Sequence, residues 1–183
     1  MPAPARRGTV TLVLGGARSG KSRFAESLAT ATGLDLVYLA TAQAFDDEMR
    51  QRITRHRADR EGAGWRAVEA PLALADVVVA ESAPETALLV DCLTLWLTNV
   101  MLADLDVERE ADGLLAALDA ARGPVVLVSN EVGYGIVPEN ALARAFRDHQ
   151  GRLNQRVAAI ADRVTLVAAG LPLDLKLPKE PTS

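Results

Sequence analysis

Eight consecutive residues, Gly15-Gly16-Ala17-Arg18-Ser19-Gly20-Lys21-Ser22, have the spacing G-x-x-x-x-G-K-[ST]. Glycines at these positions let the backbone curl so that its N–H groups point inward at phosphate oxygens, and a following helix N-terminus adds partial positive charge. Lys21 is then the side chain that reaches the outer phosphates, and the Ser22 hydroxyl the ligand for Mg²⁺. The alternative is an ordinary Gly-rich turn. The flanking residues argue against it. Residues 9–14 form a short apolar, β-branched run that reads as a buried strand, and residues 23–30 read as a helix with Phe24, Ala25 and Leu28 on one face. Strand, loop and helix in that order are what phosphate binding at this motif requires.

Four other places carry reactive side chains. Asp91 ends the apolar run Leu88-Leu89-Val90, where an acid can hold Mg²⁺ through water; the alternative is an Asp that caps the next helix. His56 is flanked by Arg55, Arg57 and Arg60, with Arg52 one turn back. Such a cluster attracts phosphate and lowers the imidazole pKa, and a neutral imidazole is a competent nucleophile toward phosphorus. A solvated basic helix face accounts for the same residues. His149, the second of two histidines, shares the apolar side of a helix with Phe146 and Leu153 and reads as a packed or capping residue. Ser129-Asn130-Glu131 leaves a strand at the edge that bears the phosphate loop. Asn and Glu there suit either substrate or metal-water orientation, or a plain loop.

These residues need a scaffold, and the chain supplies strands alternating with helices. Strands are read at 36–40, 86–91, 124–129 and 164–168, with a short extended segment at 65–69. Helical patterns occupy 46–60, where Met49, Ile53 and His56 share a face, and 72–82, with Pro71 near its start. Residues 93–120 are largely helical with a break near Asp104, and 140–162 form a long amphipathic helix with Leu142, Phe146, Leu153 and Val157 inward. Residues 171–183, with three prolines, read as a tail, and 1–8 as a loose leader. Continuously apolar strands between helices mean a mostly parallel sheet with helices on both faces, an α/β fold whose ligand sits beyond the carboxyl ends of the strands. At 183 residues the chain makes one nucleotide-binding domain.

Composition excludes several classes. A net charge of −4 implies no general affinity for nucleic acid or an anionic membrane. No apolar stretch reaches the length of a membrane span, and a cytoplasmic protein is the default expectation. Cys92, the single cysteine, lies in an apolar run and reads as a small buried hydrophobe.

Beyond the phosphate loop, further residues form a specific set. They are Tyr38-Leu39-Ala40-Thr41-Ala42, Asp46-Asp47-Glu48-Met49, Arg52-Ile53, His56-Arg57, Trp65, Asp91-Cys92-Leu93-Thr94 and Thr98-Asn99. Ser129-Asn130-Glu131-Val132-Gly133 follows, running on through Gly135-Ile136-Val137-Pro138-Glu139-Asn140. Arg144, Phe146-Arg147-Asp148, Gly151-Arg152 and Asn154-Gln155 complete it. Taken together the chain resembles the bifunctional adenosylcobinamide kinase/adenosylcobinamide-phosphate guanylyltransferase family of cobalamin biosynthesis. The resemblance implies a RecA-like P-loop NTPase fold and a homotrimer. It implies GTP, ATP and Mg²⁺ as nucleotides and metal, and adenosylcobinamide and adenosylcobinamide phosphate as substrates. It places GTP contacts on Gly15 to Ser22, on Ala40, Thr41 and Ala42, on Arg57, Ala58, Asp59 and Arg60, on Glu69 and on Asp91. It also makes His56 the residue that takes GMP from GTP. Some relatives carry Glu in place of Asp91, and some a second histidine where Arg55 stands. One loop cannot present both the γ- and α-phosphorus in one pose, so residues 46–64 are expected to move over the nucleotide. The other readings are a different P-loop small-molecule kinase and a non-catalytic nucleotide-gated binding protein.

Overall fold

The computed structural model describes residues 8–43 and 62–178. A seven-stranded sheet runs through it in the order β3-β2-β4-β5-β1-β6-β7. The strands are β1 Val10–Gly15, β2 Asp35–Ala40, β3 Trp65–Glu69, β4 Thr86–Asp91, β5 Val125–Asn130, β6 Arg163–Ala168 and β7 Leu171–Lys176. The helices are α1 Lys21–Thr30, α2 Leu74–Glu81, α3 Leu93–Leu102, α4 Val107–Asp119 and α5 Ala141–Ile160. Every pairing is parallel except β6 with β7.

Alternation along the strands divides the core in two. Leu12, Leu39, Leu88, Val90, Val125 and Leu127 point to the face covered by α2, α3, α4 and α5. Val13, Leu89, Val126 and Val128 point to the other face, onto Ala25 and Ala29 of α1 with Phe24 and Leu28 beside them. Both faces are therefore dry, and each fully buried Leu or Val contributes about 1.5–3 kcal/mol. Trp96, the largest fully buried side chain, satisfies its indole N–H on the carbonyl of Leu72 at 2.9 Å. Asp106 caps α4 by accepting from the N–H groups of Glu108 and Arg109, and Asn140 caps α5 by accepting from that of Ala143. Among the described residues, no helix is long and apolar enough to cross a membrane.

Three expectations change. Residues 171–176 are an edge strand, not part of a tail. Arg163 donates to both carboxylate oxygens of Asp174 at 2.9 and 3.0 Å, Thr165 adds a third bond at 2.6 Å, and Lys176 donates to the last carbonyls of α5. Pro172 is tolerated because an edge strand has one side with no ladder to serve. Second, Leu142 is 60% exposed, at an open groove it shares with Met101 and Leu102 of α3; Leu153 and Val157 lie in the core as expected. Third, α1 begins at Lys21, so the last two motif residues already belong to its first turn. The helical reading of residues 46–60 falls outside the described residues, as does the leader up to residue 7.

Candidate active site

The phosphate loop is held from both sides. The carbonyl of Gly15 accepts from the N–H of Glu131, just past β5, and the carbonyl of Ser19 accepts from Gly170 in the β6–β7 turn. Both central residues of that turn, Ala169 and Gly170, have positive φ, as a type I′ hairpin turn requires. Gly20 enters α1 at φ 95, a left-handed conformation that strains any residue with a Cβ, and an added Cβ would lie 3.3 Å from the Cα of Gly170. Gly15 is the tighter position: a Cβ there would meet Ser19 Oγ at 2.5 Å and the carbonyl oxygen of Val167 at 2.6 Å.

The same loop is open toward an anion. No side chain caps the N-terminus of α1, and no acidic residue stands in its first turn. Its first N–H groups thus have no intrahelical partner. Lys21 rests its ammonium on the carbonyl of Gly16 at 3.1 Å. A phosphate is a charged acceptor and displaces that neutral contact. Ser22 sits half-buried beside it.

Strand alternation decides what else faces the loop. Val13, Tyr38, Trp65, Leu89 and Val128 all point to the α1 side, so Gly15, Ala40, Glu69, Asp91 and Asn130, at even offsets from them, share that side. Register puts them along one rim: Ala40 pairs with both Glu69 and Asp91, and Gly15 pairs with Asn130. Asp91 is half-buried and accepts from the Tyr38 hydroxyl at 3.3 Å. It does not cap α3, whose N-cap residue is Cys92 and has no side-chain cap bond. Among the described residues no cluster of three or more His, Cys, Asp or Glu could form a metal cage on its own. Mg²⁺ fits this donor set, because it is commonly held by one or two protein groups, water and substrate phosphates.

Thr41 behaves differently from its neighbours Ala40 and Ala42. It is fully buried, and its hydroxyl both donates to the carbonyl of Cys92 and accepts from the Cys92 N–H, at 2.8 Å each. Asn99 donates to the Thr41 carbonyl at 2.7 Å and to that of Pro71 at 2.9 Å. Thr41 thus ties the ends of β2 and β4 together at the level of the rim. Cys92 is buried, and burial first, the Asp91 charge second, push its thiol pKa up, so it is an inert apolar neighbour.

A second polar cluster lies on the opposite face. Ser129 donates to Asn154 Oδ1 at 2.7 Å, and Gln150 donates to both. Asn154 in turn donates to the carbonyl of Asn130 at 3.1 Å, and the Asn130 N–H donates to Thr94 Oγ1 at 2.9 Å. Ser129, Asn130, Thr94 and Asn154 are recognisable in the sequence as parts of a set, but nothing in their spacing says that they meet at the end of β5. His149 lies between α4 and α5, its Nδ1 3.7 Å from Glu108 Oε1, on the side of the sheet away from α1. His56, Arg57, Ala58, Asp59 and Arg60 lie outside the described residues.

Residues 11–175 match the family described as CobU, Cobinamide kinase / cobinamide phosphate guanyltransferase. The chain is similar to the bifunctional adenosylcobalamin biosynthesis protein CobP of Pseudomonas aeruginosa, 54% identical over 169 residues, which covers 90% of this chain and 96% of that protein. It is also similar to the bifunctional adenosylcobalamin biosynthesis protein CobU of Salmonella typhimurium, 44% identical over 180 residues, covering 90% of this chain and 98% of that one. Among solved structures, the RadB recombinase superposes with a TM-score of 0.51 at 15% identity, over 87% of this chain and 74% of its own. That likeness concerns the fold and agrees with the RecA-like expectation.

Proposed function

The chain belongs to the cobinamide kinase / cobinamide phosphate guanyltransferase family of cobalamin biosynthesis, and on that premise we propose that it catalyses two successive transfers at one nucleotide site. In the first, the aminopropanol hydroxyl oxygen of adenosylcobinamide attacks the γ-phosphorus of ATP or GTP; the nucleoside diphosphate leaves and the hydroxyl proton is released. In the second, an imidazole nitrogen of His56 attacks the α-phosphorus of GTP, and the bond to pyrophosphate breaks. A phosphate oxygen of adenosylcobinamide phosphate then attacks the same phosphorus, the phosphorus–nitrogen bond breaks, and adenosylcobinamide-GDP forms with free His56.

The observation that carries this reading is the preformed loop: an uncapped helix start, Lys21 poised on a displaceable carbonyl, and Asp91 on the same face of the rim. Phosphoryl transfer needs little more than positioning and charge stabilisation. The loop N–H groups and Lys21 supply both. Mg²⁺ held by Ser22 and Asp91 would supply charge neutralisation on the phosphates when bound. Nucleotide contacts at Ala40, Thr41, Ala42, Arg57, Ala58, Asp59, Arg60 and Glu69 belong to the same proposal. So does a homotrimer, for which Tyr134 and Ile136, 84% and 96% exposed, offer apolar surface.

The test is covalent labelling with α-³²P-GTP, followed by denaturation. The label should stay on the wild type, be lost in acid and survive alkali, as a phosphorus–nitrogen bond does. His56→Ala should lose label and guanylyl transfer while retaining phosphorylation of adenosylcobinamide. Lys21→Ala should lose both transfers. Label persisting in His56→Ala moves the nucleophile elsewhere, and near-normal activity of Lys21→Ala in either reaction contradicts the shared site.

A further inference from the structure

Leu102 and Leu142 are 59% and 60% exposed, and both line an open groove of about 330 Å³ between α3 and α5. Met101 and Phe146, half-buried against the core, line it too. A concave apolar surface of this size is typical of a small-molecule site, and adjacent exposed leucines mark a surface that something covers. Thr98 and Asn140 are the polar groups of the groove. Thr98 donates its hydroxyl proton to the Thr94 carbonyl at 2.9 Å, which leaves an oxygen able to accept. Asn140 accepts from the Ala143 N–H on its Oδ1 at 2.7 Å, which leaves carboxamide N–H groups able to donate. Among the described residues that line the groove, none is charged. The groove thus suits an uncharged, largely apolar body with amide groups, not an anion or a charged peptide.

Its place in the fold is equally defined. Thr94 of α3 and Asn154 of α5 both bond the backbone of Asn130, the last residue of β5. Residue β5 ends on the rim, paired there with Gly15 of the phosphate loop. Along α3, Thr98 follows Thr94 by one turn and Leu102 by two, about 6 and 12 Å. Helix α5 leads into β6, which runs parallel to β1, so α5 descends from the carboxyl end of the sheet toward the amino end. Phe146 and Leu142 precede Asn154 by about 12 and 18 Å of helix and therefore lie beyond the strand ends. That is the side on which a ligand of such a sheet sits.

We propose that this groove seats the corrinoid substrate: one edge of the corrin ring lies on Leu102, Leu142 and Phe146, its carboxamides meet Thr98 and Asn140, and its aminopropanol arm reaches back along α3 to the phosphate loop. The proposal rests on the two-transfer reading above and gives the second substrate a place. A corrin ring is a broad disc with methyl-covered faces and neutral amides around its edge, which the uncharged lining matches. The extended arm spans a gap of one helical turn or more. Adenosylcobinamide and its phosphate differ only at the end of that arm, so one seat holds both.

Equilibrium dialysis of the full chain with adenosylcobinamide, read by its visible absorbance, in Mg²⁺ and GppNHp, tests it. Leu102→Gln/Leu142→Gln keeps side-chain length and adds no charge, but removes two apolar contacts. It should weaken adenosylcobinamide about tenfold and leave mant-GppNHp within about twofold. Leu142→Met alone, which stays apolar, should bind the corrinoid within about twofold of wild type. Val79→Gln, at a site on α2 that is 62% exposed, controls for loss of surface apolarity and should change neither affinity. Wild-type corrinoid affinity in the double variant overturns the proposal. So does a double variant that loses mass by light scattering, because the groove is then covered by a second copy of the chain. Failure of the two-transfer reading looks different: the wild type binds mant-GppNHp and no adenosylcobinamide, and the seat falls with it.

Discussion

Gly15→Ala is the sharpest test of how the phosphate loop is built. The new methyl would stand 2.5 Å from Ser19 Oγ and 2.6 Å from the carbonyl oxygen of Val167. The first contact is a side chain that can rotate. The second is backbone of β6, paired through Val167 with Gly15 itself, and cannot move without opening the ladder. The loop must therefore shift. Overpacking of this kind costs about 1–3 kcal/mol, and for a chain of this size each kcal/mol lowers Tm by about 2–4 °C, so a fall of about 2–12 °C is expected. A shifted loop also misaims at least one N–H at the phosphates. A hydrogen bond to a charged group is worth about 1.5–3 kcal/mol, which converts to about 10- to 150-fold in Kd. Differential scanning fluorimetry reads the first quantity and titration with mant-GDP the second. In a Ser19→Ala background the side-chain clash is gone and the Val167 clash remains, so the double variant should stay impaired. Wild-type Tm and affinity in Gly15→Ala would refute the argument, and full recovery in the double variant would reassign it to the hydroxyl alone.

Asp91→Asn should raise the Mg²⁺ concentration for half-maximal phosphorylation by about tenfold, with Tm within about 2 °C of wild type, because Asp91 faces the rim and is not the N-cap residue of α3. Unchanged Mg²⁺ dependence with a large loss of Tm would sink that role. At the other edge of the sheet, the hydrogen bonds from Arg163, then Thr165, hold the Asp174 carboxyl below the usual carboxylate range. A depressed folded-state pKa means stability that is present above the unfolded value, about 3.9, and lost as pH falls through the folded one. The backbone amide NMR shifts of β7 should therefore be constant from neutral pH to about 5 and move toward unpaired values below about 4. Asp174→Asn should show the displaced shifts already at neutral pH, at a global cost below about 1 kcal/mol for so exposed a pair. Wild-type shifts that already move between about pH 6 and 5, or wild-type shifts in Asp174→Asn at neutral pH, would contradict it.

The signals legible along the chain are local. Gly15 to Ser22 carries its chemistry in its spacing, and the apolar run before it and the helical face after it confirm the context within about thirty residues. The strands at 86–91 and 124–129 announce themselves as buried on both faces, and Asp91 stands out because it breaks such a run. Leu171, Leu173 and Leu175 alternate as a strand should, but the prolines around them resemble a tail until Arg163 and Thr165 supply partners for Asp174. Which of these residues meet is settled by packing. Thr41 and Cys92 are far apart in the chain yet share two hydrogen bonds, and Gly170 supports a loop begun at Gly15. Asn130 looks like any loop residue until register sets it beside Gly15 and two helices clamp its backbone. Periodicity and motif spacing are properties of neighbours along the chain. Strand order, register and the face a side chain presents are settled by packing between elements, and the rim of this site is made almost wholly of such long-range pairings.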